Sequence, residues 1–207
     1  MTHTLNRTGL SEKRKGEEIV ILCMIHYKLK EQKGNEMKEM ARILMKYQPN
    51  NFIGSPLGLT EEQLIPMAAG VGVLTAVFTE KNDVVELIKE IKSKKLGISV
   101  VISALFSDVR DICKEASLTE HTYNCSVGVF GKTEKLPDEL VMEITTQCGH
   151  GLISQHYVND VVKRIRKGKL TPEEGADLLA KPCVCGIVNR KRTGEILSEL
   201  AEREDTH

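Results

Sequence analysis

Three of the six cysteines in this chain fall in two short, glycine-bounded segments. The segments are Cys148-Gly149-His150-Gly151 and Pro182-Cys183-Val184-Cys185-Gly186. Glycine-rich turns let several sulfur atoms approach one point without backbone strain. The spacing therefore predicts one metal centre that shares the thiols of Cys148, Cys183 and Cys185. The expected fourth ligand is His150, Cys125 or a histidine from elsewhere in the chain.

The position of Cys148 adds a physical reason to expect a bound cation. Residues 137–147 show helical periodicity, so Cys148 lies at the carboxyl end of a predicted helix. The negative end of the helix dipole disfavours an isolated thiolate at that position. A metal ion bound to the sulfur would reverse the penalty.

The spacing of the cysteines bears on which metal is expected. Structural zinc sites usually separate paired cysteines by about two to four residues, whereas a single residue separates Cys183 from Cys185. Iron–sulfur clusters accept looser spacing, although Cys-x-Cys with a third cysteine far upstream matches no common ferredoxin pattern. We expect an iron–sulfur cluster, with zinc as the alternative and a redox-active thiol pair as a third hypothesis.

The Cys-Gly-His-Gly and Pro-Cys-Val-Cys-Gly motifs together resemble those of a family of proteins from anaerobic prokaryotes that has no assigned activity. The resemblance covers mainly the last eighty or so residues and brings no catalytic residue with it. It implies an oxygen-sensitive metal centre rather than a disulfide, and a role in anaerobic metabolism.

Upstream of residue 137 the sequence alternates between strand and helix patterns. Continuously apolar runs at 19–25 and 98–106 predict strands buried on both faces, and the run at 73–78 predicts a further strand between them. The alternation at 123–129 predicts a strand with one face on the core. Helical periodicity fills the intervals between the runs. Because helices that link successive strands act as crossover connections, we expect an α/β fold with a mainly parallel sheet and flanking helices. The 98–106 strand is expected at its centre.

Polar residues at the ends of the predicted strands form a second candidate site. His26 follows the first strand, and Ser103, Ser107 and Asp108 lie at or just beyond the end of the third. The carboxyl ends of parallel strands meet at one edge of a sheet, where ligands bind in such folds. These four residues are therefore predicted to line a cofactor or ligand site.

The chain is expected to divide into three parts. Residues 1–16 are polar and predict a tail or a docked arm, and residues 17–137 are predicted to form the α/β domain. Strand patterns stop after Pro137, so residues 138–207 are predicted to form an all-helical appendage that carries the clustered cysteines. Its clearest helix start is at Thr171, where an N-cap threonine, a proline and a capping-box glutamate follow in order.

Composition narrows the classes of function. With 29 basic and 29 acidic residues the chain has no net charge to attract nucleic acid, and no segment has the length and apolarity of a membrane span. Six cysteines in a chain without a secretion signal are typical of a reducing compartment. We therefore expect a cytoplasmic protein whose thiols stay reduced.

Two functions from different classes fit these features. The first is a metal-binding protein that acts in redox chemistry or in the assembly or delivery of a metal centre. The second is a non-enzymatic regulatory module that binds a small-molecule ligand or a protein partner. In that module the cysteines are structural or hold a structural zinc, and the chain can form a homo-oligomer. No residue pattern assigns a catalytic group, so the sequence leaves open whether the protein is an enzyme.

Overall fold

The computed structural model describes residues 17–124 and 130–203. Its strands are β1 (Ile19–Met24), β2 (Asn51–Phe52), β3 (Val73–Phe78) and β4 (Ser99–Ser103). Its α helices are α1 (Gly34–Lys46), α2 (Glu61–Met67), α3 (Lys81–Lys94), α4 (Phe106–Glu115), α5 (Glu139–Thr145), α6 (Gln155–Arg166), α7 (Pro172–Ala180) and α8 (Arg190–Glu202). The described chain is thus a mixed α/β structure whose second half is helical.

The strands form one sheet in the order β2-β3-β1-β4, and every neighbouring pair is antiparallel. The expectation of a mainly parallel sheet is therefore wrong. The crossover connections do exist, since β1 and β2 point the same way and so do β3 and β4. Each crossover, however, skips one strand: β3 lies between β1 and β2, and β1 lies between β3 and β4.

This interleaving of two β-α-β units is the split β-α-β arrangement. The error has a physical source, because hydrophobic periodicity reports burial and element type but carries no information about the direction of the neighbouring strand. A parallel and an antiparallel strand buried on both faces have the same apolar sequence. The pairing is decided by contacts between residues that are far apart in the chain.

One face of the sheet packs on the helices of the first half of the chain. Ile19, Ile21 and Cys23 of β1 belong to a core that also holds Met37, Met40, Ala41 and Leu44 of α1. The α1 residues recur at three- and four-residue intervals, so one stripe of the helix faces the sheet. Cys23 and Cys113 are both buried in this core, where they pack among apolar side chains.

The opposite face of the sheet is covered by the second half of the chain. Val20 of β1 and Val77 of β3 belong to a second cluster, whose other members lie between Leu140 and Leu200. The cluster includes Cys148 and Cys183. β1 is therefore buried on both faces, as its continuous apolar run predicts. The cysteine-bearing turns are built against the sheet itself.

The strand predicted to be central lies at the edge of the described sheet. β4 pairs with β1 on one side, and residues 99–102 are exposed or half-buried. The predicted strand at 123–129 falls largely on residues 125–129, which lie outside the described part of the chain, and Cys125 lies there with it.

Helix starts follow the sequence closely. Thr60 caps α2 and Thr171 caps α7, each in a complete capping box with the residue three positions later. The prediction at Thr171 is confirmed, because its side chain accepts from the amide of Glu174 while the Glu174 carboxylate accepts from the amide of Thr171. In the two described ranges no helix is both long and apolar enough to cross a membrane.

Candidate metal centre

Two turns that are distant in sequence bring the three predicted thiols into contact. Cys148 follows α5, whereas Cys183 and Cys185 lie in the turn between α7 and α8. The sulfur atoms of Cys183 and Cys185 are 3.6 Å apart, and the sulfur of Cys185 is 3.7 Å from Nδ1 of His150. An interaction with Cys183 raises the pKa of Cys148, so these two thiols are also neighbours. The structure therefore joins four of the five residues predicted as metal ligands.

The four side chains differ in their access to solvent. Cys148 and Cys183 are buried, Cys185 is half-buried and His150 is exposed. The group thus reaches from the second core cluster out to the surface. Its outer end consists of one thiol and one imidazole.

A tight turn sets the spacing of Cys183 and Cys185. The amide of Gly186 donates to the carbonyl of Cys183 at 2.8 Å and closes the turn. Gly186 has a φ of +61°, a conformation that strains any residue with a β-carbon. A β-carbon at Gly186 would also overlap the backbone carbonyl of Phe52 in β2. Glycine is therefore required at this position for two reasons, the positive φ and the close approach of the Phe52 backbone.

The same turn is fastened to the sheet through its own carbonyls. The carbonyl of Val184 accepts from the amide of Gly54 at 2.9 Å. The carbonyl of Cys185 accepts from the hydroxyl of Thr75, a buried residue of β3. Because both bonds hold backbone atoms next to the thiols, the sheet fixes where the sulfur atoms lie.

The segment that carries Cys148 is tied to the same turn by a buried amide side chain. Gln147 is fully buried, and its Oε1 accepts from the amide of Asn189 at 2.8 Å. Its Nε2 donates to the hydroxyl of Thr193 at 3.2 Å. Asn189 in turn caps α8 by accepting from the amide of Arg192. Gln147, the residue before Cys148, is therefore bonded to the start of α8.

A buried ion cluster lies beside this network. The guanidinium of Arg192 in α8 donates to Glu18, which precedes β1, and to Glu143 of α5 at 2.8 Å. Burial would lower the pKa of Arg192, but the carboxylates of Glu18 and Glu143 outweigh burial and raise that pKa. Arg192 therefore stays charged, and its bonds join three separate parts of the chain.

Hydrogen bonds along the thiols set the order in which they ionise. The pKa of Cys148 is raised because its thiol donates to Cys183 and because it is buried. Cys183 accepts that bond, which favours its thiolate, but its own bond to Cys185 and its burial outweigh this and raise its pKa. The pKa of Cys185 is lowered because Cys183 donates to it. Cys185 is thus the first of the three to ionise.

Backbone groups next to the three thiols act to lower their pKa values. His150 and Leu152 act in this direction on Cys148, and Ile187 does so on both Cys183 and Cys185. An N–H donor stabilises a thiolate more than a neutral thiol, because a hydrogen bond to a charged acceptor is the stronger one. The local backbone therefore prepares these sulfur atoms to carry negative charge.

The side chains of Cys148, Cys183, Cys185 and His150 are neighbours in that order, each next to the following one. They do not surround a common point. Across residues 17–124 and 130–203, no set of three or more His, Cys, Asp or Glu side chains is arranged to hold a metal ion as it stands. Metal binding would therefore require a rotation of at least one side chain. His150, at the exposed end of the group, has the most room for it.

The residues predicted to line a cofactor site do not lie together. His26 follows β1, whereas Ser103 ends β4. Because these two strands are antiparallel, their carboxyl ends point in opposite directions and lie at opposite ends of the sheet. His26 is exposed, and its ring accepts from the amide of Lys28 at 3.3 Å. Ser107 and Asp108 line an open depression of about 570 Å³ together with other polar residues. Ser103 and Asp108 are buried.

Sequence reasoning missed the residues that fix the thiols from behind. Thr75 and Gln147 carry signals that are visible in hindsight: Thr75 is a polar residue inside an apolar strand, and Gln147 directly precedes a candidate ligand. Arg192 carries no such signal, since charged residues are frequent on helices. Its burial follows from packing alone.

Comparison of this chain with protein-family models, with curated proteins and with solved structures gives no match. The split β-α-β arrangement does not supply a function either, because one fold can carry many unrelated activities. The chemistry of the site is therefore the basis for assigning one. That chemistry is a group of three thiols and an imidazole at the junction of a sheet and a helical half.

Proposed function

We propose that this protein binds one metal ion through the thiolates of Cys148, Cys183 and Cys185, with His150 as the fourth ligand. Zinc is the ion that this set of three sulfurs and one imidazole suits best, because such sets are among the common tetrahedral zinc sites. The observation that carries the proposal is the spacing of the donors: the sulfur atoms of Cys183 and Cys185 are 3.6 Å apart, and the sulfur of Cys185 is 3.7 Å from Nδ1 of His150.

Two distances between neighbouring donors match those expected around a single tetrahedral ion. Two sulfurs at ~2.3 Å from one tetrahedral zinc lie ~3.8 Å apart, and a sulfur and a nitrogen ligand lie ~3.6 Å apart. The separation of Cys183 and Cys185 is 3.6 Å, and that of Cys185 and His150 is 3.7 Å. One residue between paired cysteines is unusual for zinc, but the turn closed by Gly186 already gives the sulfurs a suitable spacing.

The same crowding favours a single ion over an iron–sulfur cluster, which the spacing of the cysteines had suggested. A cluster distributes its thiolates over two or more irons and therefore needs its ligands further apart. Here adjacent donors are in contact along the whole group. We accordingly place zinc first and keep the cluster as an outcome of the test.

The burial of the thiols gives the ion a physical role in stability. The interaction with a neighbouring thiol and then burial raise the pKa of Cys148 and of Cys183, so both are neutral in the metal-free protein near pH 7. A divalent cation would convert them to thiolates and release protons. Since the two ligand segments meet only in the folded chain, binding free energy would add to the free energy of unfolding.

The exposed end of the site suggests what the protein does with its metal. Cys185 and His150 reach the surface, while Cys148 and Cys183 lie in the core. An ion held in this way can be approached from one side by a small chelator or by a partner's thiol. We propose a cytoplasmic role in holding and delivering a metal ion, with reduced thiols as its requirement.

Metal analysis of anaerobically purified protein tests the proposal. We expect one zinc per chain and no visible absorbance, and after cobalt substitution the spectrum of a tetrahedral thiolate site. Cys148→Ser and Cys183→Ser should each lose most of the zinc, and the double variant should be little worse because the ligands act as a unit.

The control is Cys113→Ser, which alters a buried thiol in the other core cluster and should leave the zinc content unchanged. Iron and sulfide in equal amounts with a visible chromophore would instead identify a cluster. Folded protein that takes up neither metal at micromolar concentrations would exclude the proposal.

A second candidate function is supported by a cavity beside β4. It has a volume of about 460 Å³ and is lined by residues that include Ile102, Phe106, Val109 and His121. Ligand pockets typically measure about 300–1,000 Å³ and are mostly apolar. A binding module for a small apolar ligand therefore remains the alternative. The fluorescent probe anilinonaphthalene sulfonate should bind there, and unchanged binding by Val109→Trp would remove this candidate.

A further inference from the structure

Cys183 and Cys185 are placed for two-electron chemistry with each other. Their sulfur atoms are 3.6 Å apart, and the turn that holds them is closed by the bond from Gly186 to the carbonyl of Cys183. A disulfide requires α-carbons within about 7 Å of each other. Two residues separated by one within a closed turn satisfy this limit, so rotation of the side chains alone brings the sulfurs into bonding distance.

The two thiols differ in access in the way that such chemistry requires. Cys185 is half-buried, whereas Cys183 is fully buried. A small oxidant arriving from solvent meets Cys185 first. Cys183 lies directly behind it and is protected from the oxidant by its burial.

We propose that Cys183 and Cys185 form a reversible dithiol–disulfide couple that reacts with hydroperoxides, and that its oxidation releases the metal ion. The release, but not the couple, rests on the proposed metal site. This is a second activity of the same turn, in which the state of the thiols decides whether the ion is held.

The reaction balances with hydrogen peroxide as the oxidant. The Cys185 sulfur attacks one peroxide oxygen, the O–O bond breaks, and a sulfenic acid and one water form. The Cys183 thiol then attacks the Cys185 sulfur, the S–O bond breaks, and the disulfide and a second water form. Peroxide takes up two electrons and two protons from the dithiol. The metal loses two thiolate ligands and leaves to an acceptor.

Cys148 also interacts with Cys183 and is the competing partner for a disulfide. It is buried at the inner end of the group, away from the oxidised sulfur of Cys185. Attack by Cys183 on Cys185 therefore precedes any exchange with Cys148. The proposal accordingly assigns Cys148 no part in the first oxidation step.

Digestion with trypsin distinguishes a disulfide between Cys183 and Cys185 from one that includes Cys148. The tryptic peptide 170–190 contains both Cys183 and Cys185, because the bond from Lys181 to Pro182 resists cleavage, and Cys148 lies in the peptide 136–163. After treatment with equimolar peroxide we expect peptide 170–190 to lose the mass of two hydrogens and zinc to appear in a chromogenic chelator. A thiol reductant should restore both the mass and the zinc binding.

Matched variants assign the roles. Cys185→Ser should reduce the peroxide reactivity of the site to that of the buried control thiols, and Cys148→Ser should still form the disulfide within peptide 170–190. Cys113→Ser should behave as wild type. A cross-link between peptides 136–163 and 170–190 as the first product, or oxidation of Cys185 to sulfinic acid without a disulfide, would overturn the couple.

Running the reaction on both metal-free and zinc-loaded protein separates the two proposals. Disulfide formation in a protein that never takes up metal would reject the metal site and support the couple. Zinc binding without disulfide formation in either form would reject the couple and support the metal site. Disulfide formation with zinc retained would reject the release step alone.

Discussion

Cys185 is the only one of the three clustered thiols that reaches solvent, and it is also the one whose thiolate the fold favours. Its pKa is lowered by the hydrogen bond from Cys183, while the pKa values of Cys183 and Cys148 are raised. Reactivity of a thiol toward an alkylating agent follows its thiolate fraction and its access. The thiolate fraction and the solvent access therefore both favour reaction at Cys185.

In metal-free protein Cys185 should react with iodoacetamide first as the pH is raised. A lowered pKa means that its thiolate is present at a pH where Cys183 and Cys148 are still protonated. Cys23 should be slowest, because complete burial raises its pKa to about 12. Mass spectrometry of peptides after timed labelling measures the order. Protein unfolded in urea is the control, and a folded protein that labels uniformly would contradict the prediction.

Gly186 is the residue at which the turn depends most on a missing side chain. Gly186→Ala should destabilise the protein by about 3 kcal/mol, the sum of a strained positive φ and an overlap with the Phe52 carbonyl. Gly168→Ala is the matched control: its φ is also positive, at +65°, but a β-carbon there meets nothing within 4 Å. That variant should cost only about 1 kcal/mol.

Urea unfolding of both variants measures the difference. Zinc content provides a second readout, because displacement of the turn by Gly186→Ala would separate Cys183 from Cys148. Equal losses of stability in the two variants would show that Gly186 is constrained only by its φ and not by its contact with β2.

At the scale of elements, each face of the sheet packs against a different part of the chain. One face carries the core with α1 and α3, and the other carries the second cluster and the cysteine-bearing turn. The turn is fixed by bonds to the loop after β2 and to β3. The site therefore depends on the order of the strands, since it needs β2 beside β3.

The positions of β1 and β4 predict different tolerance to a buried charge. Val20 in central β1 is 1% exposed, whereas Val101 in β4 at the edge is half-buried. Val20→Asp should destabilise by more than about 4 kcal/mol, because its carboxylate has no route to water. Val101→Asp should cost about 1–2 kcal/mol, since an edge strand lets the side chain reach solvent.

Chemical unfolding of the two variants under identical conditions tests this order. The comparison also tests the fold directly, because a central parallel strand at 98–106 would make Val101→Asp the severe substitution. A larger loss at Val101 than at Val20 would contradict the position of β4 at the edge of the described sheet.

On the scale of the whole molecule, the buried cluster of Arg192, Glu18 and Glu143 joins the start of the sheet to two helices of the second half. Removing one member of a buried ion cluster leaves the others without compensation, which costs about 3–5 kcal/mol. Arg192→Leu should therefore lower the free energy of unfolding by that amount. It should also weaken metal binding, because Asn189 and Gln147 are anchored beside it.

Arg203→Leu is the matched control, since Arg203 pairs with Asp138 and Glu199 but is 48% exposed. Exposed pairs contribute roughly 0–1 kcal/mol, so this variant should be close to wild type in denaturant. Calorimetry and urea unfolding give the two losses. A small effect at Arg192 would mean that the halves of the molecule are held together by apolar packing alone.

Individual helices and strands and four residues of the candidate site could be predicted from the sequence, because they depend on residues that are close together in the chain. The apolar run of β1, the stripe of α1 and the capping box at Thr171 each specify an element through residues within a few positions of one another. The glycine-bounded motifs identified Cys148, Cys183, Cys185 and His150, and the structure brings these four together. Motif spacing sufficed because glycine and proline restrict short turns strongly.

Only the tertiary structure decided how those elements are arranged. The antiparallel order of the sheet separates His26 from Ser103. Within the part of the chain that the structure describes, β4 lies at the edge of the sheet, although the sequences of β1 and β4 both predict buried strands. The contacts of Thr75 with Cys185, of Gln147 with Thr193 and of Arg192 with Glu18 join residues between 46 and 174 positions apart. Such contacts leave no periodic trace in a sequence, since they are set by packing of distant segments and not by local backbone preference.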